Sequence, residues 1–198
     1  MPDFSFEEKY KGIIAGVDEA GRGPWAGPVV AAAVILNPEK IPDGLNDSKK
    51  IKPKKREVLY EEIRKTSIFG IGIVPEGVID EINILEATKL AMKQAVENLS
   101  RQPDIALIDG NHAPLLVCQT ETIIGGDGKS FSIAAASIMA KVTRDRIMRE
   151  LHYNFPDYGW DRNSGYGTKE HQESLAQFGV TPHHRQSFAP IKKLVKIL

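Results

Sequence analysis

The sequence has little cysteine and lacks any long hydrophobic run. Cys118 is the single cysteine among 198 residues, which excludes an internal disulfide framework and a cysteine-based zinc site. The longest uncharged stretch, 23–38, is too short for a membrane helix and contains glycine and proline. The first eight residues carry three acids, the wrong charge for a signal peptide. We therefore expect a soluble, cytoplasmic protein of a reducing compartment.

A net charge of either sign is also missing, because 26 basic residues balance 26 acidic ones. This balance excludes a histone-like surface of positive charge, but the charges are sorted along the chain. Segment 49–65 has eight basic and three acidic residues, whereas 76–86 has four acidic residues and no basic one. Segment 183–198 has four basic residues and no acidic one. The composition is therefore compatible with a nucleic-acid partner.

The pattern of apolar residues predicts one α/β domain over 1–198. A chain of this length can form one real core, and we find neither a repeat nor a linker that would divide it. The predicted strands are 12–17, 29–36, 69–74, 105–108 and 121–124, and the predicted helices are 53–65, 80–99, 130–154 and one near Ile191. The order predicts a five-stranded mixed sheet flanked by helices, with a mostly irregular C-terminal part over about 155–198.

Acidic residues stand at the ends of three predicted strands. Asp18 and Glu19 follow the first strand, Asp109 follows the fourth, and Asp127 follows the fifth. Two adjacent carboxylates repel by about 4 kcal/mol at roughly 4 Å and an effective dielectric of about 20. Because neighbours in a strand point to opposite faces, Asp18 and Glu19 could serve one centre only if the chain leaves β geometry at Glu19.

Each of these acids alone also fits a simpler role. Asp18 and Glu19 could lie in a solvated turn, Asp109 could begin a turn, and Asp127 could cap the helix that follows. Together, four carboxylates at one edge of a sheet would need cations to neutralise them. Hard oxygen ligands suit Mg²⁺ or Mn²⁺, and two such ions could hold the attacking and leaving oxygens of a phosphodiester hydrolysis.

Several longer motifs resemble those of the ribonuclease HII family, the type 2 ribonucleases H. The similar segments are 18–24 (DEAGRGP), 26–33 (AGPVVAAA), 46–49 (NDSK), 109–110 (DG), 134–146 (AAASIMAKVTRDR), 165–171 (GYGTKEH) and 184–188 (HRQSF). They extend over nearly the whole chain. The resemblance implies an RNase H-like fold and a metal-dependent endonuclease that hydrolyses the RNA strand of RNA–DNA hybrids. It also implies incision on the 5′ side of ribonucleotides embedded in duplex DNA, leaving 5′-phosphate and 3′-hydroxyl ends.

The resemblance also assigns candidate site residues by position. The family's catalytic, metal-binding carboxylates fall on Asp18, Glu19, Asp109 and Asp127, which would hold two Mn²⁺ or Mg²⁺ ions in the active complex. The implied partners are an RNA–DNA hybrid or ribonucleotide-containing duplex DNA, and we expect a monomer. The sequence shows no obvious terminal glutamine-led docking peptide, so it does not predict binding to a sliding clamp.

Further residues are candidates for substrate binding. Gly21, Arg22 and Gly23 could form a plain tight turn, but in the family this loop reads the 2′-hydroxyl that distinguishes RNA from DNA. Tyr166 could be a surface anchor, and the resemblance implies that it stacks on the deoxyribose after the ribonucleotide. Lys49 begins the strongest basic run, which is either a solvated helix start or a set of phosphate contacts.

Other charged residues have alternative roles, and two other functions are compatible with the sequence. Asp145 is either a fifth acid near the site or, as we favour, a partner in a structural ion pair. We expect His171 and His184 to form hydrogen bonds within the C-terminal fold. Only some of the basic residues of the long helix should face nucleic acid; they are Lys141, Arg144, Arg146 and Arg149. The alternative functions are a type HIII-like hybrid nuclease and a non-catalytic hybrid-binding module.

Overall fold

The computed structural model describes residues 1–195, and a five-stranded mixed sheet forms the centre of this part of the chain. The strands are β1 (Ile14–Ala20), β2 (Val29–Ile35), β3 (Ile68–Val74), β4 (Ile105–Asp109) and β5 (Gln119–Ile123). The helices are α1 (Pro53–Thr66), α2 (Glu76–Glu97), α3 (Phe131–Asn154), α4 (Trp160–Asn163), α5 (Lys169–Phe178) and α6 (Ala189–Val195). Short 3-10 turns lie at Glu7–Lys9, Gly126–Gly128 and Pro156–Tyr158.

The strand order is β3-β2-β1-β4-β5, and the sheet changes direction at β1. β1 and β3 both pair with β2 in antiparallel fashion. The short β1–β2 connection suits a hairpin, whereas β2 and β3 are joined through α1. β4 lies parallel to β1 and to β5. The predicted α/β class with a mixed five-stranded sheet is therefore confirmed.

Small residues let helices approach both faces of the sheet. On one face, alanines of α2 pack on alternate residues of β1, β2 and β4. On the other face, α1 and α3 cover the intervening residues, and the Ala134–Ala136 stretch of α3 lies against β2. A Cβ added at Gly16 would overlap the backbone of Ser132, so this glycine lets α3 cross close over β1. The first turn of α3 is thereby packed directly against β1.

Two sequence predictions about the elements were wrong. The first strand ends at Ala20 rather than at residue 17, so Asp18 and Glu19 lie within β1. The region after 155 also contains helix α5, which begins where the Thr168 hydroxyl accepts a hydrogen bond from the His171 amide at 3.3 Å. We missed α5 because its exposed face is polar and its buried face contributes few apolar residues.

The C-terminal helices pack on the far end of α3 around a separate apolar cluster. Its fully buried members are Ala26, Met148, Trp160 and Ile191. Residues 196–198 of the predicted C-terminal segment lie outside the described residues. Within residues 1–195, no helix is both long and apolar enough to cross a membrane.

Candidate active site

The parallel pairing of β1 and β4 brings Asp18 and Asp109 side by side. Val17 pairs with Ile108 in the register, so the next residue of each strand is one of the two acids. Both side chains lie on the face that α3 covers, because Val17 and Ile108 pack on the α2 side. Asp18 is 5% exposed, and its Oδ1 accepts a hydrogen bond from the Glu19 amide at 2.7 Å.

Glu19 reaches the same cavity from the other face of the sheet. It also borders a smaller cavity beside Thr88 and Met92 of α2, which shows on which side of β1 it lies. The chain leaves β geometry only at Gly21, where φ is 98°. The requirement that the backbone leave β geometry at Glu19 was therefore wrong, since the site lies at the sheet edge, where a glutamate can reach around the strand end.

Asp127 approaches from the 3-10 turn between β5 and α3. The amide of the preceding Gly126 donates a hydrogen bond to Asp109 Oδ1 at 2.6 Å, which ties this turn to the end of β4. Asp127 does not cap α3, because the capping residue is Ser130, whose hydroxyl accepts from the Ile133 amide at 3.2 Å. The helix-cap interpretation of Asp127 is therefore wrong.

Burial and mutual repulsion shift the acids toward their neutral forms. The pKa of Asp18 is raised well above its ordinary value by burial first, and then by the charges of Glu19 and Asp109. Burial also raises the pKa of Glu19, although Arg22 opposes the shift. The pKa of Asp127 is raised by burial first, and then by the charges of Asp47 and Asp109. A cation in the cavity would relieve all three shifts.

The donor set fits a hard divalent cation in its chemistry, although its side chains are not closed around an ion position. Within residues 1–195, no three acidic, histidine or cysteine side chains have the spacing to hold a metal. Asp18, Glu19, Asp109 and Asp127 nevertheless line one cavity of about 480 Å³. Carboxylate oxygens are the ligands that Mg²⁺ and Mn²⁺ prefer, and rotation of the side chains would be needed to enclose the ion.

The candidate substrate residues line this same cavity. The structure therefore brings all nine residues singled out in the sequence to one place: Asp18, Glu19, Gly21, Arg22, Gly23, Lys49, Asp109, Asp127 and Tyr166. Arg22 lies 3.5 Å from a carboxylate oxygen of Glu19. Tyr166 is 48% exposed, and its ring lies next to Gly23. An exposed aromatic ring and a glycine loop thus stand beside the acids.

The basic run after Asp47 divides into residues with different environments. Lys49 faces the cavity and lowers the pKa of Asp127 and Glu19 by its charge, though burial outweighs this effect in both. Lys50 does not line the cavity, and its ammonium lies 3.6 Å from an Asp47 carboxylate oxygen. Arg56 is buried and donates to the Ser48 and Ile51 carbonyls. Only part of this run is therefore placed to meet a phosphate in the cavity.

Two buried arginines behind the glycine loop were not anticipated. Arg185 is 0% exposed and donates to the carbonyls of Gly21 at 2.6 Å, Arg22 at 3.0 Å and Gly27 at 2.9 Å. Arg144 is 1% exposed and donates to the carbonyls of Pro28 and Ser164 at 2.9 Å each and Ala26 at 3.0 Å. The two side chains hold the loops that border the cavity.

Sequence periodicity could have identified one of these arginines. Arg144 follows Ser137 by seven residues and precedes Met148 by four, and both of these residues are buried on α3. Its burial agrees with the prediction that only some of the basic residues of this helix face nucleic acid. A second missed pair is Ser48 and Ser137, whose hydroxyls are 2.8 Å apart beside Asp18.

The remaining expectations for charged residues are confirmed. Asp145 forms ion pairs with Lys141 at 2.7 Å and Arg56 at 3.8 Å. His171 and His184 lie with their Nε2 atoms 3.0 Å apart. Burial lowers the pKa of both rings, to about 3 for His184. Their hydrogen bonds therefore serve the C-terminal packing in the neutral form.

The chain is similar to known proteins over nearly its whole length. The family model described as Ribonuclease HII matches residues 15–191. A ribonuclease HII of Wolbachia pipientis subsp. Culex pipiens (strain wPip) is 55% identical over 194 residues, which cover 98% of each chain. The crystal structure of ribonuclease H2 from Pyrococcus horikoshii OT3 has a TM-score of 0.77 and 28% identity, covering 93% of this chain and 98% of that one.

A more distant structure shares the fold. The crystal structure described as Bst-RNase HIII in complex with Mn²⁺ has a TM-score of 0.77 at 17% identity, covering 93% of this chain and 70% of that one. At this identity the likeness concerns the fold alone.

Proposed function

Because the chain belongs to the ribonuclease HII family, we propose that Asp18, Glu19, Asp109 and Asp127 are the residues with which it performs the family's reaction. That reaction is the metal-dependent hydrolysis of RNA in RNA–DNA hybrids, with incision 5′ of ribonucleotides embedded in duplex DNA. The single observation that carries the proposal is the meeting of these four acids in one cavity. They come from two adjacent parallel strands and one loop.

The four carboxylates would hold two divalent ions, either Mg²⁺ or Mn²⁺. When bound, the ions supply an activated water and stabilise the leaving 3′-oxygen. Asp18 and Asp109 are fixed by the strand pairing and by amide hydrogen bonds to one oxygen of each, which leaves their other oxygens for the ions. Glu19 and Asp127 come from opposite sides of this pair. The raised pKa of three of the acids supports the proposal, since a bound cation would stabilise the charged forms that burial first, and neighbouring acids second, disfavour.

The Gly21–Gly23 loop would recognise the ribonucleotide through its backbone amides. Arg185 draws the Gly21 and Arg22 carbonyls inward. In a planar trans peptide the N–H points opposite to the carbonyl, so the amides of Arg22 and Gly23 face away from Arg185. Donors in this orientation suit an oxygen such as the 2′-hydroxyl or a phosphate.

Tyr166 and Lys49 would complete the substrate site in different ways. The exposed ring of Tyr166 stands beside Gly23, where it could contact the sugar that follows the ribonucleotide. The ammonium of Lys49 is a cation beside the acids and would hold a phosphate by charge alone. Recognition of the ribonucleotide and general affinity would thus be carried by separate residues.

A single chain supplies all nine candidate residues, which supports a monomer built as one catalytic domain. The single cysteine suits a reducing compartment, and we propose a cytoplasmic location. Contact with a sliding clamp is not part of the proposal.

The test is cleavage of a duplex that contains one embedded ribonucleotide, with and without Mg²⁺ or Mn²⁺. We expect metal-dependent cleavage by the wild type and a loss of orders of magnitude in Asp127→Asn. The matched control is Asp43→Asn, which neutralises an exposed acid away from the cavity and should cleave normally. Near-normal turnover by Asp127→Asn at saturating metal would remove Asp127 from the proposed set.

A further inference from the structure

Residues 3–7 contact the joint, residues 129–132, that connects the turn carrying Asp127 to helix α3. We propose that Glu7 is a positioning residue that holds Asp127 in place through this joint. The inference rests on the proposed function, in which Asp127 is a metal-binding carboxylate. It concerns a residue 120 positions away in the sequence that does not line the cavity.

Glu7 is a buried carboxylate with an unusually dense set of partners at the start of α3. It is 4% exposed. One oxygen, Oε1, accepts three hydrogen bonds, from the Ser130 hydroxyl at 2.6 Å, the Ser132 hydroxyl at 2.7 Å and the Ser132 amide at 2.9 Å. A negative group at a helix N-terminus is also favoured by the helix dipole. Glu7 therefore fixes the first turn of a 24-residue helix from a segment distant in sequence.

Backbone and aromatic contacts around Glu7 hold the same joint. The Asp3 amide donates to the Lys129 carbonyl at 3.1 Å, and the Phe131 amide donates to the Asp3 carbonyl at 3.1 Å. The rings of Phe4 and Phe131 meet edge to face with centroids 5.7 Å apart. Residues 3–7 thus bind residues 129–132 by three kinds of contact.

Backbone hydrogen bonds connect this joint to the turn that carries Asp127. The amides of Lys129 and Ser130 donate to the Gly126 carbonyl at 2.9 and 2.8 Å. On its other side, the Gly126 amide donates to Asp109 Oδ1 at 2.6 Å. Asp127 therefore lies in a short turn that is held between the end of β4 and the joint gripped by Glu7.

The turn needs this external support because its own residues give it little rigidity. Three of the four residues in 125–128 are glycines, which have the largest backbone freedom of any residue type. If the hydrogen bonds of Glu7 are removed, the Asp127 carboxylate should lose its defined position. Asp18, Glu19 and Asp109, which lie on strands, should keep theirs. The expected result is a fall in kcat with little change in KM, since the substrate-binding candidates lie on other loops.

The test is a double-mutant cycle of Glu7→Ala with Asp127→Asn, measured as single-turnover rates at saturating substrate and metal. A displacement of about 1 Å at a reacting group can cost about 100-fold in rate, so we expect Glu7→Ala to lose at least about tenfold in the wild-type background. In the Asp127→Asn background the same change should cost less than about twofold, because the carboxylate that it positions is already gone. Glu8→Ala, which alters the exposed neighbour, should match the wild type.

Two results would overturn the inference. Equal losses in both backgrounds would show that Glu7 supports the fold in general, and no loss in either would show that the grip is irrelevant to the site. If Glu7→Ala does not fold, Ser132→Ala removes one of the three hydrogen bonds and takes its place in the same cycle. A normal rate in Asp127→Asn alone would instead refute the proposed role of Asp127, so the two failures can be told apart.

Discussion

Two clusters of like-charged side chains lie beside the Gly21–Gly23 loop, and their charges are compensated in different ways. The acid cluster consists of Asp18, Glu19, Asp109 and Asp127, and the arginine pair consists of Arg144 and Arg185. Burial lowers the pKa of Arg144 to about 10 and that of Arg185 to about 9, just as it raises the pKa of Asp18. In both clusters, therefore, burial disfavours the charged form.

The difference lies in what surrounds the polar side-chain atoms of each cluster. Each arginine donates to three backbone carbonyls, and within residues 1–195 neither lies within ion-pair distance of a carboxylate. The acids instead face a cavity of about 480 Å³. The protein thus supplies the partners of the arginine pair, whereas under the proposed function the acid cluster would bind cations from solution. We therefore assign a structural role to the arginine pair and propose a chemical role for the acid cluster.

The largest expected effect comes from neutralising the acid cluster. Asp18→Asn should lower the rate of cleavage by roughly 10³-fold, because the site loses a charge that would hold the metal. It should also raise the melting temperature without metal, by about 2–4 °C for each kcal/mol of repulsion removed. Single-turnover cleavage and thermal melting of the metal-free protein measure the two effects. A variant that is inactive and also less stable would contradict the comparison.

A substitution in the arginine pair should lower the stability of the fold, whereas Asp18→Asn should raise it in the absence of metal. Arg185→Met removes three hydrogen bonds from buried carbonyls and should destabilise the fold by about 3 kcal/mol. The measurement is urea unfolding, with Arg146→Met as control, because Arg146 pairs with Glu57 at the surface and such pairs contribute about 0–1 kcal/mol. Equal stability losses in the two variants would mean that Arg185 does not organise the loop.

A substitution of Tyr166 tests whether this residue contributes to recognition of the substrate. Tyr166→Ala should slow cleavage at a single embedded ribonucleotide more than cleavage of a long hybrid, since the proposed contact of the ring is with the sugar after the ribonucleotide. Rates on both substrates provide the measurement. Tyr153→Ala removes an exposed ring of α3 outside the cavity and should change neither rate. An equal loss on both substrates would assign Tyr166 to general binding.

The smallest effect should separate the two neighbouring lysines. Lys49→Ala should reduce the log–log salt dependence of substrate binding by about 0.9, as expected for one lost phosphate contact. Lys50→Ala should change it less, because Lys50 pairs with Asp47 and does not line the cavity. Binding at several salt concentrations in Ca²⁺ or without metal gives the slopes. A larger change for Lys50 would place the phosphate path outside the cavity.

Sequence patterns could predict the features that depend on local periodicity. The apolar runs identified the five strands, and the acids at their ends marked the residues that meet at the sheet edge. The extent of β1 could not be predicted, because Asp18 and Glu19 are poor strand formers that are held in β geometry by pairing with Ala32 and Ala31. Tertiary pairing thus overrode the local preference.

Interactions with backbone atoms were the hardest to predict. The partners of Arg185 are carbonyls of residues such as Gly21, which lies 164 positions earlier in the chain. Every residue carries a carbonyl, so the sequence gives no sign of which ones an arginine will contact. Glu7 is similar, since nothing in the first ten residues indicates that it reaches the start of α3.

The contrast between the clusters also predicts a pH dependence. The folded-state pKa of Asp18 is raised above its unfolded value, so the folded protein binds this proton more tightly. Without metal, stability should therefore be higher below the unfolded pKa and fall as the pH rises through the raised one. Protons and cations compete for the same oxygens, so stabilisation by metal should grow over this pH range.

The most direct measurement of the central claim is the melting temperature of the wild type and of Asp18→Asn, each with and without Mn²⁺ near neutral pH. If the acid cluster is a cation site, Asp18→Asn melts higher than the wild type without metal, and Mn²⁺ raises the melting temperature of the wild type much more than that of the variant. An equal Mn²⁺ shift in both proteins, or none in the wild type, would contradict the claim.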